Sequence, residues 1–395
     1  MAISKKQKLL RATILETIYV KGPISRVDIA KDTHITPATT SSITSELLAN
    51  GEILEIGEEE NDIQKVGRKK ILLTINPHHS FYIGSEITEN YFTFTLTTNI
   101  GEILTSYSAE ISKSDLLEQG SQLYLYHLKK FISQNKEYLI TAIGIAIPGR
   151  YLEGSKLIIT DNQLWKDFRL DTIKKECPYP IYISNNVNCM AIAQRLFSQN
   201  QSDDNFIFFH FKRGMHCSYM YNGHIYGKNN AVIGEIGHTI VFLDGELCSC
   251  GKRGCLQTYL GESWLLKKAK LLYENAPDTI LKNIISTSEE LSMEKLLLAY
   301  ELGDPSILNL LHTAIKFLAQ SLFNLSLLID SQKIYLHSPL LSNPKLVKTL
   351  YEYITIEPKL LQTQIAPVVE IVPYNTFNCA LSASGLAIQK WLLLN

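Results

Sequence analysis

Side chains able to hold a metal ion cluster in one short stretch of the chain. His238 is followed after nine residues by Cys248, after one more by Cys250 and after four by Cys255, with Gly245, Gly251 and Gly254 between them. Three thiolates and an imidazole are a preferred tetrahedral donor set for structural Zn2+. Gly251 and Gly254 permit the positive-φ turns needed to wrap a short loop around one ion. Four protein ligands leave no open coordination position, so the expected role of the ion is to organise the loop and not to activate water. Cys177, Cys189, Cys217 and Cys379 are scattered, and the total of seven is odd. That distribution argues against a disulfide framework.

A second set of side chains suits a nucleic-acid contact surface. The pattern is helical from Thr36-Pro37 to Asn50-Gly51, with Thr40, Ile43 and Leu47 as its inward stripe. Ala38, Thr39, Ser41, Ser42 and Ser45 are left outward. A solvated helix face ordinarily carries Glu and Lys, whereas small hydroxyl side chains let a helix approach the major groove and bond phosphates and base edges. Thr36, Thr39, Ser41, Ser42 and Ser45, joined by Arg68 and Lys69, are the expected DNA contacts.

The elements that must present this face are also legible. A first helix spans about residues 8–20 and stops at Gly22-Pro23. A second opens at Ser25 as N-cap, with Asp28 in the place of a capping-box acid and Val27, Ile29 and Ala30 as buried contacts. Thr36 caps the third, with Pro37 at the first helical position where its missing N–H costs nothing. Three short helices with a tight turn between the last two make a helix-turn-helix. Glu52-Ile-Leu-Glu-Ile-Gly and Lys70-Ile-Leu-Leu-Thr-Ile then read as a hairpin, joined by an acidic loop from Glu58 and by Lys65-Val-Gly-Arg-Lys-Lys, which is the wing of a winged helix. Residues 1–31 hold seven Lys or Arg against two acids.

From Phe81 onwards strands and helices alternate in two successive runs. The first contains strands at 81–84, 91–96, 102–104, 142–147 and 181–184, with helices at 114–134 and 187–197. The second contains strand 206–211, a hairpin at 217–225, helices near 261–274, 290–302 and 304–329, and strand 333–336. This order predicts a two-lobed α/β protein with a ligand between the lobes.

The whole-chain numbers exclude several function classes. With 395 residues the chain is too long for a bare DNA-binding motif. Lys plus Arg total 38 against 39 Asp plus Glu, a formal charge of −1, so any affinity for a polyanion must be local. The start lacks the apolar run of a signal peptide, and the most apolar late stretch, 317–329, is broken by Gln320, Ser321, Asn324 and Ser326. The chain is expected to be cytoplasmic, with no membrane partner.

Two motifs carry a family resemblance. Ile-Gly-Glu-Ile-Gly-His at 233–238, followed by Cys-Ser-Cys-Gly-Lys-Arg-Gly-Cys-Leu at 248–256, closely resembles the signature of the ROK family (repressor, open reading frame, kinase). Pro23-Ile-Ser-Arg and Val66-Gly-Arg-Lys look like characteristic positions of its repressor branch, which includes xylose and N-acetylglucosamine repressors. The resemblance implies a winged helix-turn-helix over 1–76 and an actin-like sugar-kinase fold over 77–395. Its lobes would be about 77–190 plus 381–395, and 191–380. By position, the resemblance places sugar contacts at Pro148, Gly149, Asn162, Asn185, Asn186, Glu235, His238 and Gln257. Carboxylate, amide and imidazole groups suit vicinal hydroxyls, and His238 could use one ring nitrogen for zinc and the other for sugar.

Departures from the kinase members point away from catalysis. Asn186 stands where kinases hold an aspartate general base, and an amide lacks the basicity for that role. The phosphate-binding Asp-x-Gly-Gly-Thr appears as Glu86-Ile-Thr-Glu-Asn, a Gly-Thr-Gly loop as Lys212-Arg213-Gly214, and the adenosine-side Gly-Gly as His337-Ser338. Gln257 replaces the usual glutamate. The expectation is a sugar-responsive transcriptional regulator, a repressor of carbohydrate-utilisation genes with no enzymatic activity. It would bind a pseudo-palindromic double-stranded operator as a homodimer or dimer of dimers, with a small sugar or sugar phosphate as effector. Lys212-Arg213 could hold the phosphate of such an effector, with a solvated charge pair as the alternative. Two further alternatives are a residual sugar kinase, and a regulator whose second part binds a sugar-transport phosphotransferase protein.

Overall fold

The computed structural model describes residues 4–393 apart from 59–69, 153, 161, 199–203, 228–229, 231 and 357–366. In chain order the helices are α1 (Lys5–Lys21), α2 (Arg26–Thr33), α3 (Pro37–Ala49), α4 (Lys113–Gln134), α5 (Leu170–Glu176), α6 (Asn186–Phe197), α7 (Gln257–Leu260), α8 (Glu262–Asn275), α9 (Leu281–Ile284), α10 (Met293–Glu301), α11 (Pro305–Leu328), α12 (Pro344–Ile356) and α13 (Asn378–Ile388). The strands are β1 (Ile24–Ser25), β2 (Ile53–Glu58), β3 (Ile71–Ile75), β4 (Phe81–Ile87), β5 (Tyr91–Thr98), β6 (Ile103–Glu110), β7 (Ile140–Ile147), β8 (Ile181–Asn185), β9 (Phe206–Phe211), β10 (Met215–Tyr221), β11 (His224–Ile225), β12 (Lys333–His337) and β13 (Val368–Val372). They form two compact units, Met1–Ser202 with Thr376–Asn395, and Asp203–Asn375. These breaks lie away from the expected ones after 190 and before 381, because α6 is continuous across residue 190 and packs on α13.

The first unit begins with α1, α2, α3 and an antiparallel sheet of order β1-β3-β2. The Ser25 hydroxyl accepts the Asp28 amide, the expected N-cap bond, and donates to the Asp28 carboxylate at 2.6 Å in place of the capping-box bond from the Ser25 amide. The Thr36 hydroxyl accepts the Thr39 amide, with Pro37 in the first turn. Ile14, Leu15, Ile18, Ile29 and Leu47 are buried as the module's core. Lys70 donates to both Asp28 oxygens at 3.0 Å, tying β3's entry to α2. Two expectations need correction. Val27 is 65% exposed and not a core contact. On α3 the stripe is Thr40, Thr44 and Leu47, with Ile43 only partly covered. Thr44 tolerates burial because its hydroxyl donates to the Thr40 carbonyl at 2.8 Å and accepts from Arg26 Nε at 3.1 Å. The pairing of β1 with β3 was not foreseen in the two-residue Ile24-Ser25 segment.

The rest of this unit is a sheet of order β6-β5-β4-β7-β8. Strands β4 to β6 form an antiparallel meander, and β7 and β8 continue parallel to β4. One face carries Ile83, Ile143 and Ile145 against Tyr124, Leu128 and Phe131 of α4. The other face offers Gly84 and Gly144 to α13. A Cβ there would lie 1.9 Å from the Ala380 oxygen and 1.7 Å from the Ala383 oxygen, so only glycine allows this approach.

The second unit repeats the scheme, with sheet order β11-β10-β9-β12-β13. Again three strands are antiparallel, and β12 and β13 run parallel to β9. Its core joins Ile207, Phe209 and Leu336 to Leu311, Ile315 and Leu318 of α11. Among the described residues no helix is long and apolar enough to cross a membrane.

Candidate metal centre and ligand-contact positions

The metal centre is built by a loop that turns back on itself twice. Gly251 and Gly254 take φ of +85° and +68°, as the spacing predicts. A Cβ on Gly254 would fall 1.5 Å from the Phe242 oxygen, so a side chain there would prevent closure. Backbone bonds from Gly251 to Cys248 and from Cys248 to Lys252 hold the tip, and the Ile240–Cys255 bridge brings the two ends together.

The donor atoms of His238, Cys248, Cys250 and Cys255 all lie within 4.8 Å of one another. Cys250 Sγ is 3.6 Å from Cys255 Sγ, and His238 Nδ1 is 3.6 Å from Cys248 Sγ. These separations are far beyond a disulfide's ~2.05 Å and match the ~3.6–3.8 Å edges of a tetrahedron with ~2.3 Å Zn–S and ~2.0 Å Zn–N bonds. The electrostatics agree. Burial first, and then the neighbouring Cys250 and Cys248, push the Cys255 thiol up to about 12. The Lys252 amide, by contrast, lowers Cys250. Thiols this close resist joint ionisation unless a cation compensates them, and a divalent ion does so. The residues therefore fit a tetrahedral ion held by His238 Nδ1 and three sulfurs.

The loop also carries three of the expected sugar contacts. Glu235 immediately precedes the 3-10 turn Ile236–His238, and Gln257 begins α7 two residues after Cys255. Gly237 backs onto Gln257, where a Cβ would meet Oε1 at 3.3 Å. Glu235 Oε1 lies 3.8 Å from His216 Nδ1. An ion bridging His238 to Cys255 would thus hold Glu235 and Gln257 in register.

The remaining expected contacts belong to the first unit and have more local work than the sequence suggests. Asn185 caps α6, accepting the Val187 amide at 2.9 Å and donating to the Gly149 carbonyl at 3.0 Å. It positions the Pro148-Gly149 loop, with both ends of its amide engaged. Asn162 accepts the Leu164 amide at 3.1 Å and donates to Glu89 at 2.8 Å. Asn186 accepts the Val187 amide at 2.9 Å, and its own amide nitrogen has no partner among the described residues.

The three segments compared above with kinase phosphate loops each have local partners of their own. Glu86 is buried at the end of β4, and the next turn is a hairpin closed by Thr88, which donates to the Tyr91 carbonyl at 2.8 Å. Lys212 donates to the Tyr374 hydroxyl at 2.8 Å, and Arg213 faces Glu262 at 3.8 Å. Lys212 is thus half-buried with a partner, while Arg213 is exposed, as the solvated alternative expects of it. His337 stacks on Tyr374 with ring centroids 5.2 Å apart, and its Nδ1 lies 3.0 Å from His210 Nδ1. This corner was invisible in the sequence, because Lys212, His337 and Tyr374 meet only through the order of the sheet.

Burial, then the neighbouring His337, lowers His210 to about 3; burial, then Lys212, lowers His337 to about 4. The unfolded chain takes up protons below about pH 6.5 that the folded imidazoles refuse. The stabilising contribution is therefore complete above about pH 6.5 and lost as pH falls towards about 4. Urea unfolding between about pH 7 and pH 5 should show this loss, and His337→Gln should flatten it. Equal pH dependence in the variant would refute the assignment.

Of the expected DNA contacts, Thr36, Ser41, Ser42 and Ser45 are exposed and Thr39 is half-buried. Thr36 and Thr39 hydroxyls share a 2.9 Å hydrogen bond. Arg68 and Lys69 lie outside the described residues.

The chain belongs to the ROK family, whose profile matches residues 82–389. The xylose repressor of Bacillus subtilis (strain 168) is 29% identical over 296 residues, covering 71% of this chain and 74% of its own. The transcriptional dual regulator NagC of Escherichia coli (strain K12) is 26% identical over 258 residues, covering 64% and 62%. The structure of a ROK-family transcriptional regulator, a homologue of the E. coli MLC protein, superposes with a TM-score of 0.77 at 20% identity over 99% of this chain and 98% of its own. A ROK glucokinase from Streptomyces griseus, solved with glucose and AMPPNP, gives a TM-score of 0.65 at 18% identity over 78% and 98%. At these identities the solved structures establish the fold.

Proposed function

We propose that the protein is a sugar-responsive transcriptional repressor of carbohydrate-utilisation genes. Its first 76 residues act as a winged helix-turn-helix, with α3 in the major groove. Two copies in a homodimer, or pairs of them in a dimer of dimers, address a pseudo-palindromic duplex with half-sites about 34 Å apart. A small sugar or sugar phosphate is the effector. Asn186, Glu235, His238 and Gln257 are its proposed hydroxyl contacts, and zinc organises the loop that carries the last three.

The observation that carries this reading is the N-terminal module itself. The family match begins at residue 82, and the glucokinase covers 78% of the chain where the MLC homologue covers 99%. The extra segment ends its helical part in α3, where Ser41, Ser42 and Ser45 are exposed beside Pro37, Ala38, Glu46 and Ala49. Xylose repressor and NagC, the curated relatives, are named as regulators.

Phosphoryl transfer is not part of the proposal. An amide at Asn186 forgoes the roughly 10²–10⁴-fold contribution of a general base. The side chains of Glu86, Lys212 and His337, the last two engaged with Tyr374, support this reading, because the family resemblance assigns their segments to loops that cradle phosphates with backbone N–H groups.

The test is to select duplexes from a random pool and measure their affinity with xylose, glucose and N-acetylglucosamine, each with and without a phosphate. At least one should change the Kd about tenfold, a coupling of ~1.4 kcal/mol. An affinity indifferent to all of them would sink the effector claim. ATP turnover with any of these sugars would restore the kinase reading.

A further inference from the structure

Helix α6 joins two places that the proposed function needs to connect. It begins at Asn186, the proposed sugar contact, and its last turn is where α1 rests. Arg195, with 9% of its side chain exposed, donates to the carboxylate of Glu16 on α1. One turn further along α1, the Tyr19 hydroxyl donates to the Asn99 carbonyl at 2.8 Å. Asn99 lies in the turn between β5 and β6, which is itself pressed onto the end of α6. At Gly101, with φ of +84°, a Cβ would lie 2.8 Å from the Phe197 ring.

The chemistry of this seam differs from that of the module behind it. Ile14, Leu15 and Ile18 of α1 are fully buried, while Glu16 and Tyr19 meet the lobe through an ion pair and a directed hydrogen bond. Apolar contacts tolerate a small slide, whereas charged and hydrogen-bonded contacts of low exposure depend steeply on distance and angle. The helix between the two ends is stiff. Its 12 residues span roughly 18 Å, and α13 grips it along its side, where Gly385 lets the helix backbones approach. A displacement imposed on Asn186 reaches Arg195 as a rigid-body movement.

We propose that Arg195 and Glu16 are positioning residues that carry the state of the sugar site, through α6, to the N-terminal module. Occupancy at Asn186 shifts α6, and the Arg195–Glu16 pair, with Tyr19 on Asn99, re-seats α1 and changes how α3 is presented. This inference rests on the sugar-responsive reading above.

The test uses the full-length protein, duplexes selected by the wild type, and the same xylose, glucose and N-acetylglucosamine panel. Glu16→Gln and Arg195→Gln should bind sugar within about threefold of wild type by calorimetry. The sugar-induced change in duplex Kd, about tenfold in wild type, should fall below about twofold. The charge-swapped double variant Glu16→Arg/Arg195→Glu should recover most of it, which a merely structural contact would not require. Single variants that keep the wild-type response overturn the inference, as does a double variant no better than the singles. A wild type that responds to no sugar refutes the functional reading itself, and this inference with it, before any variant is compared.

Discussion

Cys255→Ser is expected to hold no zinc, unlike the wild type under the proposed metal assignment, and to unfold at a markedly lower temperature. Cys255 is fully buried, and its sulfur lies 3.6 Å from Cys250 Sγ. A serine hydroxyl is a poor replacement for a thiolate on Zn2+, and losing one of four ligands should weaken affinity by two orders of magnitude or more, about 3 kcal/mol. Zinc held at ~1,000 times its Kd stabilises the folded state by about 4 kcal/mol. For a unit of this size each kcal/mol moves the midpoint by about 2–4 °C, so the expected drop is roughly 8–16 °C. Metal analysis and calorimetric scanning of the full chain measure both effects. Cys217→Ser, at a buried thiol outside the donor set, is the control that should keep its metal. Because Glu235 and Gln257 flank the loop, sugar affinity should fall with the zinc. A Cys255→Ser protein with one zinc per chain and an unchanged midpoint would remove the metal assignment.

The second large effect is expected at Ser42→Glu. Ser42 is exposed on α3, so the fold should tolerate the change within about 0.5 kcal/mol. A carboxylate there would face the phosphates that the proposed reading helix approaches. Base and phosphate contacts are worth about 1–3 kcal/mol each, and a symmetric dimer suffers the loss twice. Duplex affinity should therefore fall by roughly 100-fold or more at constant salt, with sugar affinity and thermal midpoint unchanged. Electrophoretic or anisotropy titration checks the first and calorimetry the others. A Ser42→Glu protein that binds duplex as the wild type does would mean that α3 is not the reading helix.

The near-neutral total charge gives the DNA reading its salt dependence. With a formal charge of −1 overall, attraction to DNA falls to the basic residues of the N-terminal segment, several of which are already committed. Arg11 bonds Glu52, Lys21 bonds Asp32 at 2.7 Å, Arg26 bonds Glu55 at 2.8 Å and Lys70 bonds Asp28. Fewer free cations mean fewer counterions released and a shallower salt slope than the residue count suggests.

Local patterns were legible wherever the chemistry is local. Ser25 with Asp28, Thr36 with Pro37, and the cysteines with their glycines each complete a motif within a few residues, so their geometry follows from spacing. The strands of both lobes were legible as apolar runs. Helix α13 was not, because its buried residues surround it on all sides and leave no amphipathic period to read. Its place was decided by Gly84 and Gly144, whose missing side chains let its backbone onto the sheet. β13 escaped notice because a short edge strand acquires its identity only by pairing with β12.

The sequence by itself determined the donor set, the exposed hydroxyls of α3, the departures from the kinase loops and the family. Those depend on residue type and on neighbours a turn or two away. Only the tertiary structure decided what each polar group is free to do. Asn185 is spent on Gly149, Lys212 on Tyr374 and Arg195 on Glu16. The reason is physical: a poorly exposed polar group must find a partner, and which partner is within reach depends on how distant segments pack and not on spacing along the chain.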